Sequence, residues 1–270
     1  MPTKMTIDKF TALKAQRKIV CLTAYSAPMA SILDPHCDLL LVGDSVAMVL
    51  YGMDNTQGAD IQMMTRHAQA VMRGAKQALV VVDLPAGSYE TSPEQALATA
   101  TQIMQESGAD AIKLEGGAVL KSHIKLLVEN GIPVMGHIGL LPQKASSASM
   151  YRITGKTAEE AALLHVDMKA LVDAGVFGIV MEGIIEPVAN EIANACIVPT
   201  IGIGASAACD GQILVTDDMV GLFDKFIPTF VRQFSQLNPT ITESVTAYRA
   251  AVIDGSFPGK EHLFWPKAGK

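Results

Sequence analysis

Aromatic residues and clusters of positive charge are scarce in this sequence of 270 residues. It contains one Trp and five Tyr, and its 27 acidic residues outnumber its 21 basic ones, which gives a formal net charge of −6 at pH 7. Grooves that bind single-stranded nucleic acid need basic side chains interleaved with aromatic rings, and no such pattern occurs. We therefore expect no nucleic-acid partner and take small molecules as the ligand class.

Closely spaced cysteines are missing as well. The four cysteines, Cys21, Cys37, Cys196 and Cys209, lie far apart and form no CxxC pair. This spacing argues against a structural zinc site or a redox pair. We expect four reduced thiols in the core.

Long apolar runs are also absent. No run reaches about 18 uninterrupted apolar residues, the length that a membrane-spanning helix requires. The opening segment, residues 1–18, has the pattern of a charged, partly amphipathic helix and lacks the apolar stretch of a signal peptide. The sequence therefore predicts a cytoplasmic protein without a membrane partner.

Short runs of Val, Ile and Leu alternate with helical patterns from residue 18 onward. The runs are apolar throughout, which is typical of parallel strands buried on both faces. The eight candidate strands are residues 18–25, 38–45, 78–85, 110–117, 132–139, 177–184, 199–206 and, with a weaker pattern, 212–218. The helical patterns between them cover residues 61–74, 92–107, 118–130, 157–174 and 186–195.

Eight strand-and-helix units predict an α/β fold, a closed (β/α)8 TIM barrel with an N-terminal helix. The 270 residues and 49% apolar content suit a single barrel, and no Ser/Gly-rich linker divides the chain. We therefore expect one catalytic domain over residues 1–270. A doubly wound sheet gives the same alternation if the strands are miscounted, so it stays the alternative.

Polar residues follow most of the candidate strands. Barrel enzymes build their sites at the carboxyl ends of the strands, so these residues are the candidates for function. They are Thr23, Tyr25, Asp44, Ser45, Asp83, Lys113, Glu115, His137 and Glu182. Lys113 and Glu115 are two residues apart and so share a strand face, next to Asp83 of the neighbouring strand. We expect these three side chains to converge.

Four carboxylates beside one lysine do not neutralise one another, and buried charge is costly unless it is compensated. Carboxylate oxygens without cysteine or paired histidines favour Mg²⁺, with Mn²⁺ as a substitute, over zinc. Any single acid at a strand end, such as Asp44, is more typically a helix cap, but several converging acids favour a functional site. His137 fits a core hydrogen bond and a catalytic role equally well.

One motif suggests a different cofactor. GIGASA, residues 202–207, matches the loose G-x-G-x-x-G/A pattern of dinucleotide-binding loops. It lies in the last third of the chain, and no ribose-binding acid ends a second strand about 20 residues later. We therefore interpret these glycines as allowing close backbone approach beside the pocket.

Several segments together resemble the ketopantoate hydroxymethyltransferase family. They are LVGDS (41–45), VVDLP (81–85), AIKLEGG (111–117), MGHIGLLPQ (135–143), VMEGI (180–184) and PTIGIGAS (199–206). The likeness runs in order from CLTAYSAPMA near the start to GSFPGKEHLF near the end, so it covers nearly the whole chain. KLEGG followed by GHIGLLPQ is its specific part, because GDS also occurs in related metal-dependent 2-oxo acid barrels.

The resemblance implies a one-carbon transfer in pantothenate and coenzyme A biosynthesis. A hydroxymethyl group from 5,10-methylenetetrahydrofolate is added to 3-methyl-2-oxobutanoate, which gives ketopantoate (2-dehydropantoate) through a Mg²⁺-stabilised enolate. One Mg²⁺ per subunit is implied, with the oxo acid and the folate as small-molecule partners. The family also implies a homo-oligomer, a decamer.

Residue roles carry over by position. The resemblance assigns Asp44 and Asp83 as Mg²⁺ ligands and Glu115 as a further acidic metal contact, directly or through water. Asp44, Ser45, Asp83 and Lys113 are implied as the residues that bind the oxo acid.

Glu182 resembles the catalytic base, and His137 is a candidate supporting residue. The chemistry agrees, because Lys113 places positive charge near a developing oxyanion and a partly buried carboxylate is a stronger base.

Two other functions stay open at this point. A lyase or mutase of the phosphoenolpyruvate mutase and isocitrate lyase type shares the metal-and-oxo-acid barrel, but its cysteine-containing catalytic loop is not evident. A non-catalytic oxo-acid-binding paralogue has little physical need for Lys113, Glu115 and Glu182 in one cavity. The chain departs from the family pattern at residues 52–60, 144–155 and 222–232, where we expect changes in the lid, the folate pocket or the subunit contacts.

Overall fold

A computed structural model describes residues 3–145, 151–223 and 227–266. It divides into two compact units, Met1–Thr216 and Asp217–Lys270. In the first unit, eight parallel strands pair in sequence order and close into a barrel, with the first strand beside the eighth. This confirms the (β/α)8 barrel and excludes the doubly wound alternative. That residues 1–270 act as one catalytic domain stays a prediction.

The strands lie where the sequence predicts them, although each is shorter than its apolar segment. Their bounds are β1 Ile19–Thr23, β2 Leu39–Val42, β3 Leu79–Asp83, β4 Ala111–Lys113, β5 Val134–Gly139, β6 Gly178–Glu182, β7 Thr200–Ile203 and β8 Gly211–Leu214. The predicted polar residues lie either within the last residues of a strand or in the loop directly after it, at the carboxyl-end face of the barrel.

Helices precede the first strand, alternate with the strands along the chain and follow the last strand. Their bounds are α1 Ile7–Ala12, α2 Ala27–Leu33, α3 Val46–Val49, α4 Ile61–Gly74, α5 Pro93–Ser107, α6 Lys121–Glu129, α7 Ala158–Ala174, α8 Glu186–Ala195, α9 Thr216–Met219 and α10 Leu237–Asp254. Short 3-10 turns occupy Thr56–Gly58, Ala118–Leu120, Pro142–Lys144 and Lys260–His262. The five predicted helical patterns are confirmed.

Two layers of apolar side chains form the core of the first unit. The inner layer fills the barrel with residues that alternate along each strand, such as Leu39 and Leu41, while Leu40 and Val42 face the surrounding helices. Every residue of β2 and β3 is buried. This explains their continuous apolar character, because both faces of a barrel strand pack against protein.

The N-terminal helix α1 is confirmed but is shorter than residues 1–18. Thr6 caps its start, and Ala15 adopts a left-handed backbone conformation after its end (φ 63°). Phe10, fully buried, packs edge-to-face on Phe177 with ring centroids 5.7 Å apart and joins the inner core. The helix therefore places one aromatic ring at the amino-terminal end of the barrel.

The last strand and the second unit differ from expectation. β8 ends at Leu214 instead of 218, because Thr216 donates its N–H to the Thr23 hydroxyl (3.0 Å) and opens α9. The second unit contains α10, which was not among the helices predicted from the sequence. Its apolar residues Ile241, Val245, Tyr248 and Val252 recur at helical spacing, but none of the residues of α10 is buried.

The helices bear on the prediction that the protein has no membrane partner. Within the described residues, none of the helices combines the length and the apolar character required to span a bilayer.

Asp34 links the end of α2 to the entry of β3. Its Oδ1 accepts hydrogen bonds from the backbone N–H groups of Ala78 (2.8 Å) and Gln77 (2.9 Å). Burial raises the pKa of Asp34, but these bonds and a third from Lys76 outweigh it, so the pKa falls below its usual value. The ionised carboxylate therefore stabilises the fold.

We expect Asp34→Asn to lower the free energy of unfolding at pH 7 by about 1–3 kcal/mol, because a buried acceptor is weakened and an amide N–H faces backbone donors. Denaturant titration measures the change. The contribution is present above the unfolded pKa of about 4 and is lost as the pH falls through the lower folded pKa, so the difference from wild type should shrink in acid. Asp54→Asn, at an exposed position, is the control. Equal stability of Asp34→Asn and wild type at pH 7 would contradict this role.

Candidate active site

The predicted polar residues converge at the carboxyl ends of the strands. Asp83 ends β3 and Lys113 ends β4, and the two are paired neighbours in the sheet. Asp44 follows β2 by two residues, Glu115 follows β4 by two, and Glu182 ends β6. The strand spacing therefore places one ammonium group among four carboxylates. We call these five residues, with His137 of β5, the acidic cluster.

Lys113 lies at the centre of the acidic cluster and is 4% exposed. Its Nζ lies 3.0 Å from Asp83 Oδ1 and 3.3 Å from His137 Nδ1. The other Asp83 oxygen, Oδ2, accepts the backbone N–H of Asp44 at 3.1 Å. Burial lowers the pKa of Lys113, but Asp83, Glu115 and Asp44 outweigh it and raise the pKa, so the lysine stays protonated.

His137 connects Lys113 with Glu182. Because an ammonium group only donates, the histidine Nδ1 accepts from Lys113, and we assign the ring proton to Nε2. That nitrogen lies 3.4 Å from Glu182 Oε2, while Nδ1 is 3.6 Å from Glu115 Oε1. Burial, followed by the charge of Lys113, lowers the pKa of His137 far below its usual value. The imidazole is therefore neutral, and its position inside the cluster favours a supporting role at the site.

Asp44, Glu115 and Glu182 have raised pKa values. Burial, together with the charge of Asp83, raises the pKa of Asp44 to about 7. Burial, against the opposing charge of Lys113, raises that of Glu182 to about 7. Burial and then Asp44 raise that of Glu115 well above its usual value. Such shifts are typical of acid-base sites and of clusters that lack a counter-charge.

The donor set fits a hard cation. Four carboxylates surround one ammonium group, so the cluster carries excess negative charge when ionised. Asp83 Oδ1 is buried and has no hydrogen bond, although it lies in the ion pair with Lys113. All the available anionic donors are oxygens, which Mg²⁺ prefers. In the described part of the chain, no three His, Cys, Asp or Glu side chains are already arranged as a metal site.

Ser45 lies at the edge of the acidic cluster, beside Asp44. Its Oγ is 2.8 Å from the hydroxyl of Tyr25, which follows β1. The backbone carbonyl of Tyr25 lies 2.6 Å from His67 Nδ1. The hydroxyl of Ser45 is therefore held by a neighbouring strand end.

Gln143 is a site residue that the sequence analysis did not assign. It lies on the 3-10 turn after β5 and is 6% exposed. Its backbone N–H donates to Glu115 Oε2 (3.0 Å), and its side-chain Nε2 donates to Asp44 Oδ2 (2.8 Å). Its position could have indicated a site residue, because Gln143 is the polar residue that ends GHIGLLPQ, in the turn after a barrel strand.

The GIGASA segment does not form a dinucleotide loop. It spans the end of β7 and the turn before β8, and no helix begins there. A dinucleotide-binding loop requires a helix N-terminus for the pyrophosphate.

Two of the three divergent segments reach the site through their described residues. In 144–155, Thr154 donates its backbone N–H to the carbonyl of Gly183, the neighbour of Glu182, at 2.8 Å. Gln57, in the segment 52–60, donates its Nε2 to the backbone carbonyl of Gln143 at 2.9 Å. The segments 144–155 and 222–232 include residues 146–150 and 224–226, which lie outside the described residues.

The sequence matches proteins of one enzyme family over almost its whole length. The family model described as ketopantoate hydroxymethyltransferase matches residues 4–260. The 3-methyl-2-oxobutanoate hydroxymethyltransferase of Rhizobium rhizogenes is 52% identical over 97% of this chain and 96% of its own length. The enzyme of the same name from Sinorhizobium fredii is 53% identical over 95% of this chain and 94% of its own length.

Solved structures of another enzyme group share the fold. Phosphoenolpyruvate phosphomutase from Streptomyces platensis has a TM-score of 0.61 at 10% identity, covering 93% of this chain and 88% of that one. A 2,3-dimethylmalate lyase has a TM-score of 0.60 at 17% identity, and the match covers 97% of this chain and 89% of the lyase chain. At such low identity the likeness concerns the barrel alone.

Gly139 fixes the end of β5 against Glu182. Its backbone has a positive φ of 100°, and a Cβ added there would overlap the Glu182 carbonyl oxygen. That oxygen also accepts the N–H of Leu140 at 2.8 Å. A side chain at residue 139 would therefore displace the end of β6.

We expect Gly139→Ala to lower the free energy of unfolding by about 2–5 kcal/mol, the sum of left-handed backbone strain and steric overlap. Gly131→Ala is the matched control, because Gly131 also has a positive φ but open space around its Cβ, so only about 1–2 kcal/mol is expected. Denaturant titration compares the two variants. If both variants lose the same free energy of unfolding, the steric overlap with the Glu182 carbonyl does not contribute to the loss in Gly139→Ala.

Proposed function

Because the chain belongs to the ketopantoate hydroxymethyltransferase family, we propose that it forms ketopantoate from 3-methyl-2-oxobutanoate with 5,10-methylenetetrahydrofolate as the one-carbon donor. We propose further that Glu182 is the base and that the acidic cluster holds Mg²⁺. Relatives about half identical over nearly their full length carry the name of this transferase activity. The folate, the metal and the residue roles are the parts that experiment must test.

One observation carries the proposed mechanism: Glu182 has a pKa of about 7 at the edge of a buried cluster whose one ammonium group is Lys113. The C3 proton of a 2-oxo acid is weakly acidic and requires both a base and stabilisation of the charge that develops on the 2-oxo oxygen. A carboxylate with a pKa near the working pH is ionised often enough to act and basic enough to be effective.

Different residues of the chain bind the oxo acid, stabilise the developing charge and remove the proton. Ser45 and Lys113 bind the oxo acid, and Lys113 lies ready to stabilise the developing oxyanion. Glu182 takes the C3 proton, and the C–H electron pair becomes the enolate. Water adds to the methylene carbon and both of its C–N bonds break, so that tetrahydrofolate leaves and formaldehyde is formed. C3 then bonds to the formaldehyde carbon, and its carbonyl oxygen takes up a proton and becomes the hydroxyl group. His137 is assigned a supporting role because its Nε2 lies 3.4 Å from Glu182 Oε2, although this nitrogen makes no hydrogen bond within the described part of the chain.

Asp44 and Asp83 would hold Mg²⁺, with Glu115 as a further contact, directly or through water. The bound ion supplies Lewis acidity that lowers the cost of the enolate by several kcal/mol. The excess of carboxylates over ammonium groups and the oxygen-only donor set support this assignment.

The remaining partner assignments follow the family. The substrates are small molecules, in agreement with the acidic composition. We propose a homo-oligomer, a decamer, in the cytoplasm, with one Mg²⁺ per subunit. The exposed apolar residues of α10, among them Ile241, Val245 and Tyr248, support subunit assembly.

The two rival functions have weaker support. The lyase and mutase barrels share only the fold with this chain. If the chain were a non-catalytic binding protein, there would be no reason for Lys113, Glu115 and Glu182 to converge, because removing their charges from water costs free energy.

We expect Glu182→Gln to lower kcat by about 10²–10⁴-fold while oxo acid binding is kept, because the amide is isosteric but cannot take a proton. Formation of ketopantoate measures kcat, and calorimetric titration measures binding. The matched control is Glu191→Gln, at a surface position with the side chain 69% exposed. Turnover at the wild-type rate in Glu182→Gln would exclude Glu182 as the base.

The pH profile tests the same assignment. Glu182 acts in its ionised form, so kcat/KM should rise about tenfold per pH unit below about pH 7 and level off above it. Initial rates across this range check the slope. A rate that stays constant down to about pH 5 would mean that a group with an ordinary carboxylate pKa is the base.

A further inference from the structure

Gln143 joins the loops that follow several strands of the barrel. Besides its bonds to Asp44 and Glu115, its Nε2 donates to the carbonyl of Leu84 (2.8 Å) and its Oε1 accepts the hydroxyl of Tyr89 (2.6 Å). Asp44 follows β2, Leu84 and Tyr89 follow β3, and Glu115 follows β4. The side chain of Gln143 therefore connects the loops after β2 and β3, and its backbone N–H adds the loop after β4.

We propose that Gln143 is a positioning residue that fixes the carboxylates of Asp44 and Glu115 for cation binding. This inference rests on the proposed function, because it assigns those two carboxylates to the metal. Gln143 itself acts through them and does not touch the reacting atoms.

The orientation of the Gln143 amide is set by its partners. Nε2 faces two acceptors, Asp44 Oδ2 and the Leu84 carbonyl, whereas Oε1 faces the Tyr89 hydroxyl, which can donate. The opposite orientation would place Oε1 against two acceptors and break both bonds. Each polar atom of the side chain is thus satisfied in one orientation only.

Tyr89 extends this arrangement to Glu115. Its hydroxyl accepts the backbone N–H of Glu115 at 3.1 Å and donates a hydrogen bond to Gln143 Oε1 at 2.6 Å, and Tyr89 is 1% exposed. Gln143 in turn gives its backbone N–H to the Glu115 carboxylate. Glu115 is therefore held at its backbone through Tyr89 and at its side chain through Gln143.

These bonds matter because Asp44 and Glu115 repel each other when both are ionised. A neutral donor that binds both carboxylates fixes their positions without adding the positive charge that would compete with a cation. Residues that orient metal ligands in this way typically contribute about 10–100-fold to metal affinity.

The test compares Gln143→Met with Gln102→Met. Methionine is similar in size to glutamine but cannot donate the bonds to Asp44 and Leu84. Gln102 is an exposed residue of α5, so its variant controls for the same chemical change. Mn²⁺ binding is measured by electron paramagnetic resonance, and thermal unfolding without metal is measured alongside it.

We expect the dissociation constant for Mn²⁺ to rise about 10–100-fold in Gln143→Met and to stay unchanged in Gln102→Met. Tyr89→Phe, which keeps the ring and loses the hydroxyl, should weaken Mn²⁺ binding in the same direction. In the double variant, the rise in the Mn²⁺ dissociation constant should be smaller than the product of the rises in the two single variants, because Gln143 and Tyr89 act through one hydrogen-bond network. Tyr89→Phe also keeps the test decisive if Gln143→Met does not fold.

The outcomes separate this inference from the proposed function. If wild type binds Mn²⁺, Asp44→Asn does not, and Gln143→Met and Tyr89→Phe bind as wild type does, Gln143 has no positioning role and the proposed function stands. If wild type does not bind Mn²⁺ at all, the proposed metal site and this inference both fail. A fall in unfolding temperature with unchanged Mn²⁺ affinity would make Gln143 a structural residue only.

Discussion

The buried ion pair between Lys113 and Asp83, at 3.0 Å, is the interaction on which the rest of the site depends. The pair sits at the last residue of β3 and of β4, where the sheet register makes the two residues neighbours. Around this pair lie three more carboxylates, and removing so many charges from water is unfavourable unless each finds a partner. The barrel provides those partners through strand ends that meet on one face. This placement also leaves negative charge for a cation to balance.

The same constraint explains the neutral groups in the site. His137 keeps its imidazole uncharged beside Lys113 and points its Nε2 towards Glu182. Gln143 and the backbone N–H of Asp44 give hydrogen bonds to carboxylates without adding charge. Lys113 is thus the fixed positive charge among these groups, and in the proposed reaction the oxo acid binds it next to Glu182, whose pKa burial raises to about 7.

Much of the fold was predictable from the sequence because barrel strands are buried on both faces and therefore apolar throughout. Polar residues directly after such strands, such as Asp44 and Glu115, could be assigned to one face of the barrel from topology alone. Gln143 was not assigned, because its partners lie 28 to 99 residues away and no local pattern links them. The helix α10 was missed for another reason, since it follows the last strand and so lies outside the alternation of strands and helices from which the other helices were predicted, although Ile241, Val245 and Tyr248 recur at helical spacing.

In the proposed reaction, the acidic cluster removes the C3 proton of 3-methyl-2-oxobutanoate with the help of a divalent cation. The most direct measurement is deuterium exchange at C3, followed by NMR in heavy water with and without Mg²⁺. The account predicts exchange that requires both the protein and Mg²⁺, and ketopantoate once 5,10-methylenetetrahydrofolate is added. Exchange without product would place a defect on the folate side. The absence of both from folded, Mg²⁺-supplied protein would contradict the account.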